Sequence, residues 1–320
     1  MFFQAAGIEV DPWIPPLVAL GISFFTSMGG VSGAFLLLPF QMSFLGYTNP
    51  SVSATNQLYN IVAIPSGVYR YWKEGRMLWP LTWVVVAGTL PGVFIGAFVR
   101  VAYLPNPQNF KLFAAGVLLY IGAKMVRDLV KKKSAGADNK ASSEERFQEM
   151  VRRHRSQAAG KEQAAGSLSA VKVTHFNLQR LGYSFYGEKF DVSFLGIFSL
   201  SFIVGIVGGI YGIGGGAIIA PFFVTVFGLP VYTVAGAALM GTFVTSVAGV
   251  IFYQLIAPFY AQVSVAPDWT LGILFGIGGM VGMYLGARCQ KFVPAKIIKW
   301  MLACIIVITA AKYIAEFFGI

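Results

Sequence analysis

The stretch Gly208-Gly209-Ile210-Tyr211-Gly212-Ile213-Gly214-Gly215-Gly216-Ala217-Ile218-Ile219-Ala220-Pro221 places six glycines in an otherwise apolar segment that closes on a proline. Glycine is the weakest interior helix former after proline, so this density breaks a helix or packs it very tightly. A break at membrane depth persists only where its freed N–H and C=O groups line a cavity or meet buried partners. The stretch is therefore a candidate binding site.

A weaker copy lies 182 positions earlier, in unbroken register. Gly30 matches Gly212, Gly33 matches Gly215, Pro39 matches Pro221, Gly46 matches Gly228 and Gly67 matches Gly249. At an offset of 190, Gly88, Gly92, Gly96 and Ala97 match Gly278, Gly282, Gly286 and Ala287. The chain is predicted to be two related halves, residues 1–130 and 192–320, separated by an insert at 131–191.

With 56% hydrophobic and 12% charged residues, the composition is that of a polytopic membrane protein. The formal charge of +11 is read as positive-inside charge on cytoplasmic loops. Nucleic-acid binding would need basic residues gathered on one soluble face, so no nucleic-acid partner is expected. Cys289 and Cys304 have no CxxC partner and are expected to pack as small hydrophobes. The first residues lack a basic region and a cleavage site, so no signal peptide is expected to be removed.

The segments from Trp13 to Tyr47 and from Val192 to Phe227 are each too long for one span of about 20 residues and are interrupted by glycine. A broken or re-entrant pair is predicted in each. Three spanning helices follow in each half, giving an all-α protein of about eight membrane segments. In the span from Trp79 to Tyr103, Gly88, Gly92 and Gly96 fall on one face, a spacing that lets two helices approach closely. The insert carries 12 Lys/Arg against 7 Asp/Glu. Ser142 with Glu145 resembles a capping box and predicts a short amphipathic helix, while Val171 to Asp191 reads as a β-hairpin. His154 and His175 lack a second ligand at metal spacing and read as ordinary loop residues, so no metal is expected.

If each broken segment returns to the side it entered from, 21 of the 24 Lys/Arg lie on the cytoplasmic side; if each crosses once, 18 do. The positive-inside rule favours the first arrangement, which makes the halves inverted repeats with the insert cytoplasmic. Such repeats hold substrate near the midplane, where discontinuous helices meet. Residues 13–69 and 192–267 contain no Asp, Glu, Lys, Arg or His. The core thus offers no carboxylate for a cation or proton, whereas exposed N–H groups at half-helix starts suit an anion.

The expected backbone cradle is Gly30, Ser32, Gly33, Gly212, Gly214, Gly215 and Gly216, with Asn56, Asn60, Thr242 and Ser246 as side-chain donors. Asn56, Gln57 and Asn60 read equally well as hydrogen-bonding glue between helices. Pro39 and Pro221 are expected to shape the breaks, and Arg288 to be a mouth charge or a snorkelling anchor.

The run Gly209 to Pro221 and its degenerate copy Gly30 to Pro39 resemble the sulfite exporter TauE/SafE family, as does the glycine-ladder span ending Gly286-Ala287-Arg288. The resemblance implies a multi-pass inner-membrane transporter of sulfite, sulfonates or related organosulfur anions, needing no cofactor; the long 131–191 insert departs from compact members. Beside an exporter working by alternating access stand an anion pore, a transporter of an unrelated small anion, and a transporter whose basic insert senses or docks a partner. A membrane enzyme would need a nucleophile, base or metal cluster that the broken segments lack.

Overall fold

A computed structural model describes residues 1–28, 31–73, 77–131, 171–185, 188–289 and 295–318. The first half contributes α1 (Ile14–Met28), α2 (Ala34–Ser43), α3 (Ser51–Lys73), α4 (Trp79–Ala102) and α5 (Pro107–Lys131). The second half contributes α6 (Phe194–Tyr211), α7 (Ile219–Val226), α8 (Val231–Ile256), α9 (Trp269–Cys289) and α10 (Ala295–Phe318). A broken pair followed by three longer helices therefore occurs twice. Among the described residues, four helices are long and apolar enough to cross a membrane: Trp79–Ala102, Phe194–Tyr211, Thr233–Tyr260 and Trp269–Cys289. Helix α3 is less apolar because Ser51, Ser53, Thr55, Asn56, Gln57 and Asn60 share it, all of them buried.

The glycine ladders set the packing. A Cβ on Gly88 would meet Ser201 and Phe198, one on Gly92 would lie 2.5 Å from the Phe202 carbonyl, and one on Gly96 would meet Ile206 and Ile210. Gly205 and Gly209 return the contact, with Thr89 and Val93 carbonyls 2.6 Å from where their Cβ atoms would be. Helices α4 and α6 therefore lie backbone to backbone and run in the same direction. In lipid, where apolar burial gives helices little reason to associate, such close contact supplies the attraction. The other ladder repeats it: Gly278, Gly282 and Gly286 of α9 meet the backbone of Pro16, Leu20 and Phe24 on α1.

The remaining contacts fix directions. Gly272 and Gly276 of α9 face Leu58 and Val62, so α9 runs with α3. Gly241 meets Val85 and Phe252 meets Phe94, so α8 runs with α4. Gly249 faces Gln57 and Gly236 faces Tyr71, so α3 and α8 run in opposite directions. Gly122 faces Ile306 and Val307 while Lys111 pairs with Glu316 at 2.6 Å, so α5 and α10 are also antiparallel. Exchanging the halves maps α4 with α6 onto α9 with α1 and α3 with α9 onto α8 with α4, while α3 with α8 and α5 with α10 map onto themselves.

Two small sheets extend the all-α reading. Strands β1 (Phe2–Phe3) and β2 (Ile8–Glu9) form a ribbon whose Phe3 and Ile8 are buried. The ribbon is held where α3 and α9 begin: Ser51 and Ser264 hydroxyls donate to the Ala5 carbonyl at 3.1 and 2.7 Å, and the Ala6 N–H donates to Asp268 at 3.4 Å. Asp268 also caps α9, accepting from the Leu271 N–H at 3.0 Å.

Strands β3 (Val171–Phe176), β4 (Arg180–Phe185) and β5 (Glu188–Ser193) form an antiparallel sheet in that order, one strand more than a hairpin. Leu181, Tyr183 and Phe185 alternate along β4 and are buried. The Tyr183 and Thr233 hydroxyls are 2.9 Å apart, tying the sheet to α8; burial pushes the phenol well above its ordinary range, so it stays neutral. His175 lies 3.3 Å from Asp191 on the exposed side. The amphipathic helix expected near Ser142, and His154, lie outside the described residues. Cys289 is half-buried against the core, whereas Cys304 is exposed on α10 and does not pack inward as expected.

Candidate functional site

Helix α6 ends inside the glycine cluster, at Tyr211. Gly212 has φ 81° and its N–H closes on the Gly208 carbonyl at 2.9 Å, a left-handed cap that a side chain would strain. Gly214 repeats the conformation at φ 77°. The chain then crosses Gly215 to Ile218 before α7 starts. In the first half the corresponding turn leads through Ser32 and Gly33 into α2, with the Ala34 N–H donating to the Ser32 hydroxyl at 3.3 Å. A Cβ on Gly33 would collide with the Tyr59 and Ser23 hydroxyls, which are themselves 2.6 Å apart. Gly30 lies outside the described residues.

Helix α3 joins the two breaks. Its Asn56 amide donates to the Ala34 carbonyl at 3.0 Å and to the Gly212 carbonyl at 3.1 Å, one in each half. One turn on, the Asn60 amide donates to the Ile213 carbonyl at 2.9 Å and the Ser246 hydroxyl at 3.2 Å. The Asn60 amide oxygen accepts from the Ser32 hydroxyl at 2.6 Å. From the other side α8 presents Thr242, Thr245 and Ser246. Thr245 accepts the Gly215 N–H at 3.0 Å, and Gly214 and Gly216 sit where any side chain would strike Ser246 or Thr242. Ser32, Asn56, Asn60, Thr242, Thr245 and Ser246 are all fully buried.

Ser32, Gly33, Asn56, Asn60, Gly212, Gly214, Gly215, Gly216, Thr242 and Ser246 are thus gathered around one junction, although 156 positions separate Asn56 from Gly212. Here the Asn56 and Asn60 amides donate to protein acceptors, and Thr242 donates to the Ala238 carbonyl of its own helix at 2.8 Å. Pro39 and Pro221 lie within α2 and α7, past the glycines that make the breaks. Pro221 falls in the first turn of its helix, where a missing N–H costs least. Arg288 is exposed at the end of α9, 5.9 Å from the Tyr284 ring and away from the junction.

Residues other than the expected donors also line the junction. Thr89 of α4 fills the space beneath Gly215. Tyr211 donates to the Phe35 carbonyl at 3.3 Å and Tyr253 to the Gly209 carbonyl at 3.4 Å, closing the walls. Tyr59 had a legible signal, since it lies between Asn56 and Asn60 on one helix. Gln41, which donates to Asn56 at 3.2 Å, had none.

The family model for the sulfite exporter TauE/SafE matches residues 16–313, a stretch that includes both breaks and both ladders. The chain belongs to the sulfite exporter TauE/SafE family. Two proteins of Bacillus subtilis (strain 168) are similar to it. The probable membrane transporter protein YunE is 22% identical over 312 residues, covering 94% of this chain and 97% of YunE. The probable membrane transporter protein YdhB is 25% identical over 122 residues, covering 38% of this chain and 46% of YdhB. No solved structure matches. As a TauE/SafE member with four apolar helices of spanning length, the protein is a multi-pass membrane transporter.

Proposed function

We propose that this TauE/SafE protein exports a small sulfur-containing anion, sulfite or an organosulfonate, by alternating access between two inverted repeats across the cell inner membrane. The observation that carries the proposal is the stitching of both breaks by Asn56 and Asn60, which makes one junction from the two halves. The opposed directions of α3 and α8, and of α5 and α10, support inversion: equivalent helices of repeats related by an axis along the membrane normal would run the same way. The return of the chain supports re-entrant pairs at α1–α2 and α6–α7. Asn49, before α3, donates to the Ala5 carbonyl at 3.3 Å before α1, and Gly196 at the start of α6 lies against Phe227 at the end of α7. Each repeat then supplies one re-entrant pair and three spans, eight membrane segments in all.

In this reading Asn56 and Asn60 exchange their carbonyl partners for anion oxygens when the halves rock. Ser32, Thr242 and Ser246 add hydroxyl donors, and the glycines at 30, 33, 212 and 214–216 let the anion approach backbone N–H groups. The uncharged core favours an anion that brings its own charge to fixed dipoles. Insert 131–191 lies on the cytoplasmic side with most of the basic residues.

The test is ligand-dependent stability of the purified protein in detergent. Millimolar sulfite or a small alkylsulfonate is expected to raise the unfolding temperature, as any ligand that binds only the folded state does. Sulfate, carrying an additional oxygen, is expected to act more weakly. No stabilisation by any sulfur anion would overturn the substrate assignment.

A further inference from the structure

Arg100 lies in the last turn of α4 and is fully buried. Its guanidinium carbon sits 3.7 Å from the centre of the Phe110 ring, and Nη1 donates to the Leu104 carbonyl. Nε and Nη2 are buried with no hydrogen-bond partner, and among the described residues no carboxylate pairs with this charge. A buried guanidinium is costly unless its donors are met, and one left with two free donors is equipped for an oxyanion, because the planar fork matches two oxygens at once.

Its place in the fold connects it to the junction. One turn earlier, Gly96 lies against Gly209 and Ile210 of α6, just before the break. Tyr253, which packs with Ala97 and Val101 of α4, donates to the Gly209 carbonyl at 3.4 Å. The Phe110 ring that covers Arg100 packs 6.5 Å from Tyr211, the last residue of α6 before Gly212. A single aromatic pair therefore stands between the guanidinium and the break. The negative end of α4, in whose last turn Arg100 lies, offsets part of the charge but meets neither free donor. The repeat does not supply a second copy, since the position 190 residues later is Gln290. Among the described residues Arg100 is the one buried cation.

We infer that Arg100 is an anion-binding residue on that side of the breaks, taking two oxygens of the transported oxyanion through Nε and Nη2 as the anion passes Phe110 and Tyr211. The inference rests on the reading that the protein carries an oxyanion. It adds a second station to the uncharged junction, on the side opposite the basic insert.

The experiment compares wild type, Arg100→Gln and Arg100→Lys, each checked as a single size-exclusion peak, for sulfite uptake into proteoliposomes and for stabilisation by sulfite. The expected result is a KM raised about tenfold or more in R100Q at nearly unchanged maximal rate, with R100K between the two because it keeps the charge but loses the fork. A KM equal to wild type in R100K or R100Q would overturn the role of Arg100 and leave the transport reading intact. If R100Q does not fold, R100K alone decides. If wild type neither moves nor binds sulfur anions, stabilisation by phosphate, nitrate and chloride decides. An anion effect weakened in R100K would sustain the anion site with another cargo, and no effect of any anion on wild type would overturn it.

Discussion

Asn60 has the most demanding set of partners at the junction, holding Ile213, Ser246 and Ser32 at 2.9, 3.2 and 2.6 Å. Asn60→Ala leaves three buried polar groups without that partner, and a loss of about 2–4 kcal/mol of stability is expected, read as a lower midpoint in denaturant titration of the detergent-solubilised protein. Gly214→Ala tests the backbone. At φ 77° a Cβ costs about 1–2 kcal/mol, and this one would also lie 2.7 Å from the Ser246 hydroxyl. The expected outcome is folded protein with a lowered unfolding temperature and slowed uptake; wild-type values for both would show that the turn tolerates side chains.

At the scale of elements, the two glycine ladders are the main attachment between halves. Gly92→Leu would drive a side chain into the Phe202 carbonyl and Gly205 on α6, and the surrounding backbone has no room to yield. Overpacking of a tight contact costs about 1–3 kcal/mol or more, so a marked loss of monodisperse protein on size exclusion is expected. Asp268 offers a milder test. Asp268→Ala removes the α9 cap and the tether of the N-terminal ribbon; about 1 kcal/mol is expected, together with faster proteolysis near Phe3 to Ile8. An unchanged digestion pattern would mean that the bonds from Asn49, Ser51 and Ser264 to Ala5 and Ala6 suffice to hold the ribbon.

For the whole molecule, the proposed inversion would place the loop after α8 and the β3–β5 sheet on opposite sides of the membrane. With Cys289 and Cys304 replaced by alanine, a cysteine at Tyr260 is expected to react with an impermeant thiol reagent from outside the cell, and one at Ser184 only after the membrane is opened. The breaks and the ladders were legible in sequence because glycine acts through the backbone at its own position, so an offset of 182 carries structural meaning. The partners of Asn60 were not legible, since Ser32 and Ile213 lie 28 and 153 positions away and only packing brings them together. Strand β5 was hidden for another reason: it runs directly into α6 at Ser193, with no turn residues to separate strand from helix. Arg100 stood in plain sight, but a lone arginine at a helix end reads as a boundary charge until its burial is known. The central claim, that an anion crosses at the meeting of the two breaks, is tested most directly by uptake of radiolabelled sulfite into proteoliposomes, wild type beside Gly215→Leu, whose side chain would enter the space held by Thr89. Saturable uptake by wild type that the folded variant lacks is the expected result; equal uptake by both would contradict the claim.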